Sequence, residues 1–445
     1  MGDNLSSPGR GHYTYKPLET PNSIRLLTLH PGARDDPIQC DLLHTKIQDG
    51  KYRALSYEWG NEGDLGSIIS VNNVSFPRPI QKNLEFSLRE IRDESENVTL
   101  WIDALCINQD DTTEKGHQVA MMRNIFREAD TVIAWLGPAA DNSELAMDLI
   151  ADKMKLREKT ENQQLSDTEL AALAPIAYRS YWSRVWIIQE FFLAKKLEIR
   201  CGSKAVPYED QFRNYLDVMC LPTSQFLAPR WKRGPNSPPT HTHMFARMMP
   251  QTTDPDSILH NAHLFSWLRR SYNLDAQASD PRDYIYALLG VSDDCNPAEV
   301  IPEYNNDTAR DALLKIIPTC LKSMHPKHRK YSDRLSRAGF LVKYAADKMR
   351  IAIDAELQRD IARLLYIYPE DIDLEEEIGS EYQHKMYTRK LSREELTEAL
   401  RMRYLSQLAA ARGHPLPGWV VINQAYRDLF PGIPDAWRRD WADGG

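Results

Sequence analysis

The stretch 98-VTLWIDALCINQDDTTEKGHQVAMMRNIFREADTVIAWLG-137 decides the fold class. Residues 98–103 read as a short strand that stops at Asp103. Residues 106–116 are polar and turn-rich. Residues 117–129 then place Val119, Met122, Ile125, Phe126 and Ala129 on one helical face, a core stripe. The run 131–137 is apolar and closes on Gly137 before Pro138, as a buried strand does. Strands joined through a helix pair in parallel, because a parallel pair needs a crossover connection.

The pattern extends in both directions. Upstream, 24-IRLLTLH-30, 38-IQCDLLHT-45 and 51-KYRALSYEWG-60 carry strand signals. Residues 67-SIISVNNVSF-76 read as a hairpin turning at Asn72-Asn73, since asparagine tolerates the left-handed turn. Residues 80–92 form a helical face of Ile80, Leu84, Leu88 and Ile91. Downstream, 141–175 is a charged, mostly helical insertion. A helix over 181–194, a strand 197-LEIRC-201 and a helix from Pro207 to Cys220 come next, with proline suited to a first helical position. Residues 221–260 are rich in Pro, Thr, Asn and His and read as a loop and boundary. Beyond it, 263-HLFSWLRRSYNL-274 is helical. In 280-DPRDYIYALLGV-291, Asp280 caps a helix with Pro281 at its first position. Leu313, Leu314, Ile316 and Ile317 mark a further helix. Ser392 and Glu395 form a capping box, and the acidic run 371–381 is a solvated face. The expected organisation is a flexible start over 1–20, an α/β domain over 21–220, a linker over 221–260 and a mostly helical region over 261–445.

Composition narrows the function classes. The 445 residues are 42% hydrophobic and 27% charged, which is globular and not disordered. The net charge is −8 with no long basic stripe, so nucleic acid is not an expected partner. Cysteines at 40, 106, 201, 220, 295 and 320 form no CxxC pair and read as separate thiols of a reducing compartment, so the expected location is cytoplasmic. No metal site is expected, and the loop pair His241/His243 is the nearest approach to one. No apolar run reaches membrane-spanning length. The N-terminus fits a myristoylation pattern through Gly2 and Ser6, although a chance match is the favoured reading. Rossmann, P-loop, HExxH and GxSxG signatures are all missing. Cys106 and His117 are neighbours without a motif that would make them a dyad.

In an open parallel sheet ligands bind beyond the carboxyl ends of the strands. The strand at 51–57 delivers Ser56, Tyr57, Glu58 and Trp59 there. The strand at 98–103 delivers Asp103, with Asn108 and Gln109 just after it. The stretch 178-YRSYWSRVWIIQE-190 adds Arg184, Trp186 and Glu190. Trp and Tyr suit stacking on a purine or nicotinamide ring, and Asn and Gln suit an amide or a base edge. The competing reading makes the tryptophans core and Asp103 a turn cap.

The blocks YRALSYEWG, LWIDALCINQDDTTEKGHQVAMMRNIFREADTVIAWLG and YWSRVWIIQE resemble the fungal heterokaryon incompatibility domain, the HET domain. The pieces 280-DPRDYIYALLG-290 and 301-IPEYN-305 are similar to the segment C-terminal to that domain in many family members. The resemblance implies a fungal non-self recognition and cell-death factor. It also implies a remote kinship with TIR domains. The expected fold is thus a TIR-like parallel sheet flanked by helices, with insertions, before a mostly helical C-terminal region. Tyr52–Tyr57 is similar to the first TIR strand, with its Ser-Tyr end, and Thr131–Leu136 to a central one. Trp186 and Glu190 match a TIR tryptophan four residues before a glutamate, although Ile187 stands where a cysteine is usual and 138–177 is inserted.

In NAD-cleaving TIR domains that glutamate is catalytic. The resemblance therefore implies Glu190 as the catalytic residue, with NAD as substrate and no permanently bound cofactor. Nicotinamide in NAD is already a cationic leaving group. One carboxylate near the ribose then suffices to steady oxocarbenium-like charge. Ser56, Tyr57, Trp59, Asp103, Asn108, Gln109, Arg184 and Trp186 are the expected binding residues. A carboxylate among Ile187, Ile188, Phe191 and Phe192 must, if buried, be paired or protonated. The alternative is hence that Glu190 pairs with Arg184 or Arg53 and holds the fold of a non-enzymatic module. In both readings a homo-oligomer or an unidentified protein partner is expected.

Overall fold

The computed structural model describes residues 12–220 except 21, 62 and 163, residues 263–322 except 274, 275 and 296–299, and residues 340–354, 357 and 360 except 342. The expectations for Gly2, His241/His243, the linker 221–260, the acidic run 371–381 and the Ser392 capping box lie outside them. The chain divides into two compact units, with the first ending at Thr308 and the second beginning at Ala309.

The first unit is an α/β domain on one nine-stranded mixed sheet. Its strands are β1 (Ser23–Leu29), β2 (Gln39–Lys46), β3 (Arg53–Tyr57), β4 (Ser70–Val71), β5 (Val74–Ser75), β6 (Val98–Trp101), β7 (Thr131–Trp135), β8 (Leu197–Cys201) and β9 (Lys204–Pro207). Their order is β5-β4-β2-β1-β6-β3-β7-β8-β9. The four strands β6, β3, β7 and β8 are parallel, as the sequence predicts. The sheet is nevertheless not parallel throughout. Antiparallel pairing of β1 with β2 and β6, of β4 with β5 and of β8 with β9 extends both flanks. Short connections explain the β1–β2, β4–β5 and β8–β9 pairs, since they suit hairpins and not crossovers, while β1 and β6 meet across a long stretch of sequence. The β4–β5 turn holds Asn72 and Asn73 at φ 51° and 63°, the left-handed pair a two-residue hairpin needs.

Crossover helices cover the parallel strands. The first half contributes α1 (Lys82–Ile91), α2 (Asp103–Cys106) and α3 (Thr112–Glu128). The insertion contributes α4 (Ser143–Ala151), α5 (Lys153–Glu161) and α6 (Asp167–Ala177). Helix α7 (Ile187–Phe192) precedes β8, and α8 (Arg213–Cys220) comes after β9. Three sequence expectations change here. Helix α3 starts five residues before His117, because Asp111 accepts from the backbone N–H groups of Thr113 and Glu114 and caps it. Pro207 ends β9 opposite Glu198 and is the N-cap, one place before the first helical position, of a π-helical stretch Tyr208–Phe212 that runs into α8. The stretch 181–194 is not one helix: a 3-10 turn at Ser180–Ser183 precedes the six-residue α7.

Strands β3 and β7 form the middle of the parallel set. Ala54, Ser56, Val132, Ile133, Ala134 and Trp135 are fully buried. Side chains such as Ile133 contribute about 1.5–3 kcal/mol each by leaving water. Within the parallel set the chain passes from β3 to β6 on one side, by way of β4, β5 and α1, and from β7 to β8 on the other. The ends of β3 and β7 therefore flank a topological switch point, where open sheets form crevices. From α1, Asn83 ties the two ends together, donating to the Glu58 carbonyl at 2.6 Å and accepting from the Trp135 indole at 2.8 Å.

Helices α9 (Leu264–Asn273) and α10 (Asp283–Leu289) also belong to the first unit. Asp280 accepts from the backbone N–H of Arg282, but α10 starts at Asp283, three residues after the expected cap. Two glycines allow the segment after it to press onto the domain. A Cβ on Gly290 would lie 2.4 Å from the Gln189 amide, and one on Gly116 would lie 2.6 Å from the Pro302 carbonyl. In the second unit the described residues are largely helical, with α11 (Ala309–Lys322) and helical residues at 343–347.

Candidate functional site

A polar centre occupies the switch point. Ser56, one residue before the end of β3, is fully buried, as sheet neighbours on both sides require. Its hydroxyl donates to Glu190 Oε2 in a short hydrogen bond. A hydroxyl has one proton, so the Ser56 oxygen must then accept from the Tyr181 hydroxyl, 2.7 Å away. Arg184 approaches the same Glu190 oxygen, with Nη1 at 3.5 Å. Glu190 is only 2% exposed. The 3-10 turn before α7 explains this arrangement. It brings Tyr181 and Arg184 over the carboxylate, where a continuous helix would spread them around its circumference.

The centre opens outward from that floor. Arg184 has 16% of its side chain exposed. Asp103, at the start of α2, accepts from the Trp59 indole at 2.9 Å. Trp59 itself is 39% exposed and marks the rim. There Glu58 accepts from the Ser180 hydroxyl. Burial raises the carboxyls of Glu190 and Asp103 above their ordinary range, against the pull of Arg184 on both. Burial alone would lower Arg184, but Glu190 and Asp103 outweigh it and the net shift is upward. Tyr57 is raised well above a free phenol by burial, with the charge of Asp103 adding to it.

Of the residues named from the sequence, Ser56, Tyr57, Trp59, Asp103, Arg184 and Glu190 therefore gather at one place. Asn108, Gln109 and Trp186 go elsewhere. Asn108 accepts from the Asp110 N–H at 3.3 Å and stays within its turn. Gln109 donates to the Asp103 carbonyl at 2.8 Å and braces α2. Trp186 donates to Asp283 on α10 at 3.1 Å, so it does not share a pocket wall with Glu190. Arg53 pairs with Glu198 at 2.8 Å and leaves Arg184 as the cation of Glu190.

The sequence does not single out Tyr181, Asp283, Tyr304 or Lys115. Asp283 accepts from Trp186 and, at 2.7 Å, from the Tyr304 hydroxyl. Burial raises its carboxyl to about 6. Lys115 stands over the Tyr304 ring, 4.8 Å from its centroid. The available signal was the DPRDYIYALLG block, in which a second acid stands three residues after the capping acid and is not needed for the cap. Among the described residues no three His, Cys, Asp or Glu side chains are placed to hold a metal ion. No described helix is long and apolar enough to cross a membrane.

Residues 52–190 match the family described as heterokaryon incompatibility protein (HET). Over 365 residues the chain is 27% identical to heterokaryon incompatibility protein 6, OR allele, of Neurospora crassa, covering 69% of this chain and 53% of that protein. The chain thus spans about half the length of the curated relative it matches. No solved structure matches it. Residues 52–190 are thus similar to the HET family, and the chain at large is similar to that fungal incompatibility protein.

Proposed function

We propose that this chain acts in fungal non-self recognition as a death-inducing factor, through cleavage of NAD at the nicotinamide–ribose bond in the Ser56–Arg184–Glu190 centre. The observation that carries the reading is the convergence of Ser56 and Arg184 on one buried carboxylate at the switch point of the sheet, with Tyr181 bonded to Ser56 behind it. Buried carboxyls raised beside a cation are a recurring feature of functional sites. Glu190 would steady the oxocarbenium-like ribose, while Asp103 and the Trp59 ring would meet the rest of the substrate at the rim. Self-assembly, or contact with an unidentified protein partner, would be the trigger.

A second reading rests on a specific observation as well. With 2% exposure and Arg184 beside it, Glu190 is sealed from a substrate in this conformation. That seal suits a non-enzymatic module that works by assembly, with Glu190 as a structural bracket. The deciding experiment incubates the purified chain with NAD, beside Glu190→Gln, and separates the products by chromatography. Nicotinamide release by the wild type, absent from a folded Glu190→Gln chain, supports cleavage. No release at high protein concentration, with or without forced oligomerisation, favours the module.

A further inference from the structure

The turn that carries Arg184 is held from a distant part of the chain. The Gln277 N–H donates to the Ser183 carbonyl at 2.6 Å, and the Val185 N–H donates to the Gln277 carbonyl at 2.9 Å. These two main-chain bonds straddle Arg184 and make a parallel bridge between Arg184 and Gln277. Arg184 is accordingly extended, at φ −70° and ψ 135°, between the 3-10 turn and α7. A backbone held in one conformation fixes the direction in which its side chain leaves, so the bridge aims the Arg184 guanidinium. Its Nη1 lies 3.5 Å from Glu190 Oε2.

A second tie lies beside the first. The Trp186 indole donates to one Asp283 oxygen at 3.1 Å, and the Tyr304 hydroxyl donates to the other at 2.7 Å. Residues 183–186 are thus gripped by residues 277–283, which lie outside the stretch 52–190 that is similar to the HET family. The titratable groups that face Glu190 are Tyr57 on β3, Asp103 on α2, and Tyr181 and Arg184 on the turn. Of β7, α3 and α10, which also pack on α7, β7 carries no charged residue. Arg123 of α3 is taken up by the carbonyls of Gly290 and Ser292, and Asp283 of α10 by Trp186 and Tyr304.

We propose that Gln277 is a positioning residue for the centre: its main chain, with Asp283 as a second anchor, holds Arg184 against Glu190, and the segment beyond residue 190 thereby sets the charge state of the carboxylate. Arg184 opposes the rise that burial imposes on Glu190. With the bridge broken, Arg184 is no longer aimed, only the Ser56 bond still favours the ionised form, and the carboxyl rises further. A protein partner that drew 277–283 off the turn would then switch the centre without touching Glu190. The proposal rests on the reading of this centre given above and adds the part of the chain that controls it.

The test compares Gln277→Pro with Gln277→Ala in the full chain. Proline lacks the N–H that meets Ser183, while alanine keeps both main-chain bonds. In Gln277→Pro the acid limb of kcat for nicotinamide release moves to higher pH, and kcat falls by up to about 100-fold, the order expected of a displaced group. In Gln277→Ala the limb stays in place. Urea unfolding against pH reads the same carboxyl without substrate. Glu190 is raised in the fold, so its contribution to stability is complete below its unfolded value and is lost as pH rises through its folded value. A further rise prolongs that loss, so the stability gap between wild type and Gln277→Pro widens from acid pH towards neutrality. In an Arg184→Leu background the widening disappears. Should Gln277→Pro not fold, Trp186→Phe removes only the indole donor to Asp283 and moves limb and gap in the same direction. An unmoved limb with a pH-independent gap in a folded variant overturns the proposal, because a bridge that merely stabilises costs the same at every pH. A limb shifted in Gln277→Ala overturns it too, as does a widening that survives Arg184→Leu. A widening gap with no nicotinamide release from any chain leaves the positioning role standing and sinks NAD cleavage. Nicotinamide release with an unmoved limb does the reverse.

Discussion

Ser56 on β3 gives its hydroxyl proton to Glu190 on α7, across 134 residues of sequence. Both side chains are buried, at 0% and 2% exposure. Ser56→Ala strands the carboxylate and also the Tyr181 hydroxyl, which loses its acceptor. The expected cost is about 1–3 kcal/mol, the penalty for an unsatisfied buried polar group, read as a lower urea midpoint at constant slope.

Arg184 is the only cation within 4.0 Å of Glu190 among the described residues. Arg184→Leu leaves a buried charge without a partner and should destabilise the chain by about 3–5 kcal/mol at pH 7. The loss should shrink as pH falls, because a Glu190 carboxyl raised by burial and freed of Arg184 then takes a proton. Urea unfolding at pH 7 and at a lower pH measures the difference. An equal loss at both would show that Arg184 stabilises by packing and not by charge.

Asp283 gives a pH dependence of definite sign. Its carboxyl ionises near 3.8 in the unfolded chain and is raised to about 6 in the fold. Between those values the folded state holds a proton that the unfolded state has lost. The stability this group contributes is therefore complete below about pH 4, falls as pH rises to about 6, and is flat above it. The fall is on the order of 3 kcal/mol, about two pKa units at 1.36 kcal/mol each. Asp283→Asn should lack it, and unfolding free energies from pH 4 to 7 for both chains make the comparison.

Gly116 and Gly290 should differ in their tolerance of alanine. At Gly290 the new methyl meets the amide end of Gln189, which has rotamers to use, while at Gly116 it meets the main-chain carbonyl of Pro302. Overpacking costs about 1–3 kcal/mol, and Gly116→Ala should sit at the upper end. Thermal or urea midpoints of the two variants rank them.

Arg25 is fully buried, and its guanidinium holds Glu114 with two bonds, at 2.5 and 2.9 Å. It also donates to the carbonyls of Lys16 and Cys106, at 2.7 and 3.0 Å. Arg25→Leu leaves the Glu114 carboxylate without its cation and should cost about 3–5 kcal/mol. It should also free the segment around Lys16, which limited proteolysis would detect as earlier cleavage near residue 16.

The α/β class was legible because α3 carries a helical period and stands between two short apolar-rich runs, β6 and β7. The Asn72-Asn73 hairpin was legible for a local reason too, since few residues accept a positive φ. The start of α3 was misplaced because Asp111 looks like one more polar loop residue until its carboxylate is seen under the helix N–H groups. The antiparallel flanks were not legible. Strand direction depends on which neighbour a strand finds, and a strand's own pattern is the same either way up. Of the six residues that gather at the centre, Ser56, Tyr57, Trp59 and Asp103 lie at or just after a strand end, which the sequence marks, while Arg184 and Glu190 come from the turn and helix before β8. Trp186 failed for the converse reason. Its carbonyl accepts from the Glu190 N–H at 3.2 Å, as the spacing predicts, but its indole turns to Asp283, a partner 97 residues away that the spacing cannot show.

By itself the sequence determined the strands and helices of the first unit, their burial, and a set of polar residues at strand ends, because each arises from the chemistry of a few adjacent residues. Only the tertiary structure decided that Ser56 and Arg184 meet on Glu190, that Arg53 turns instead to Glu198, and that α10 supplies Asp283 to the neighbourhood. A charge buried in a sheet crevice takes whichever partner the packing brings within a few ångströms, and sequence distance carries no information about that.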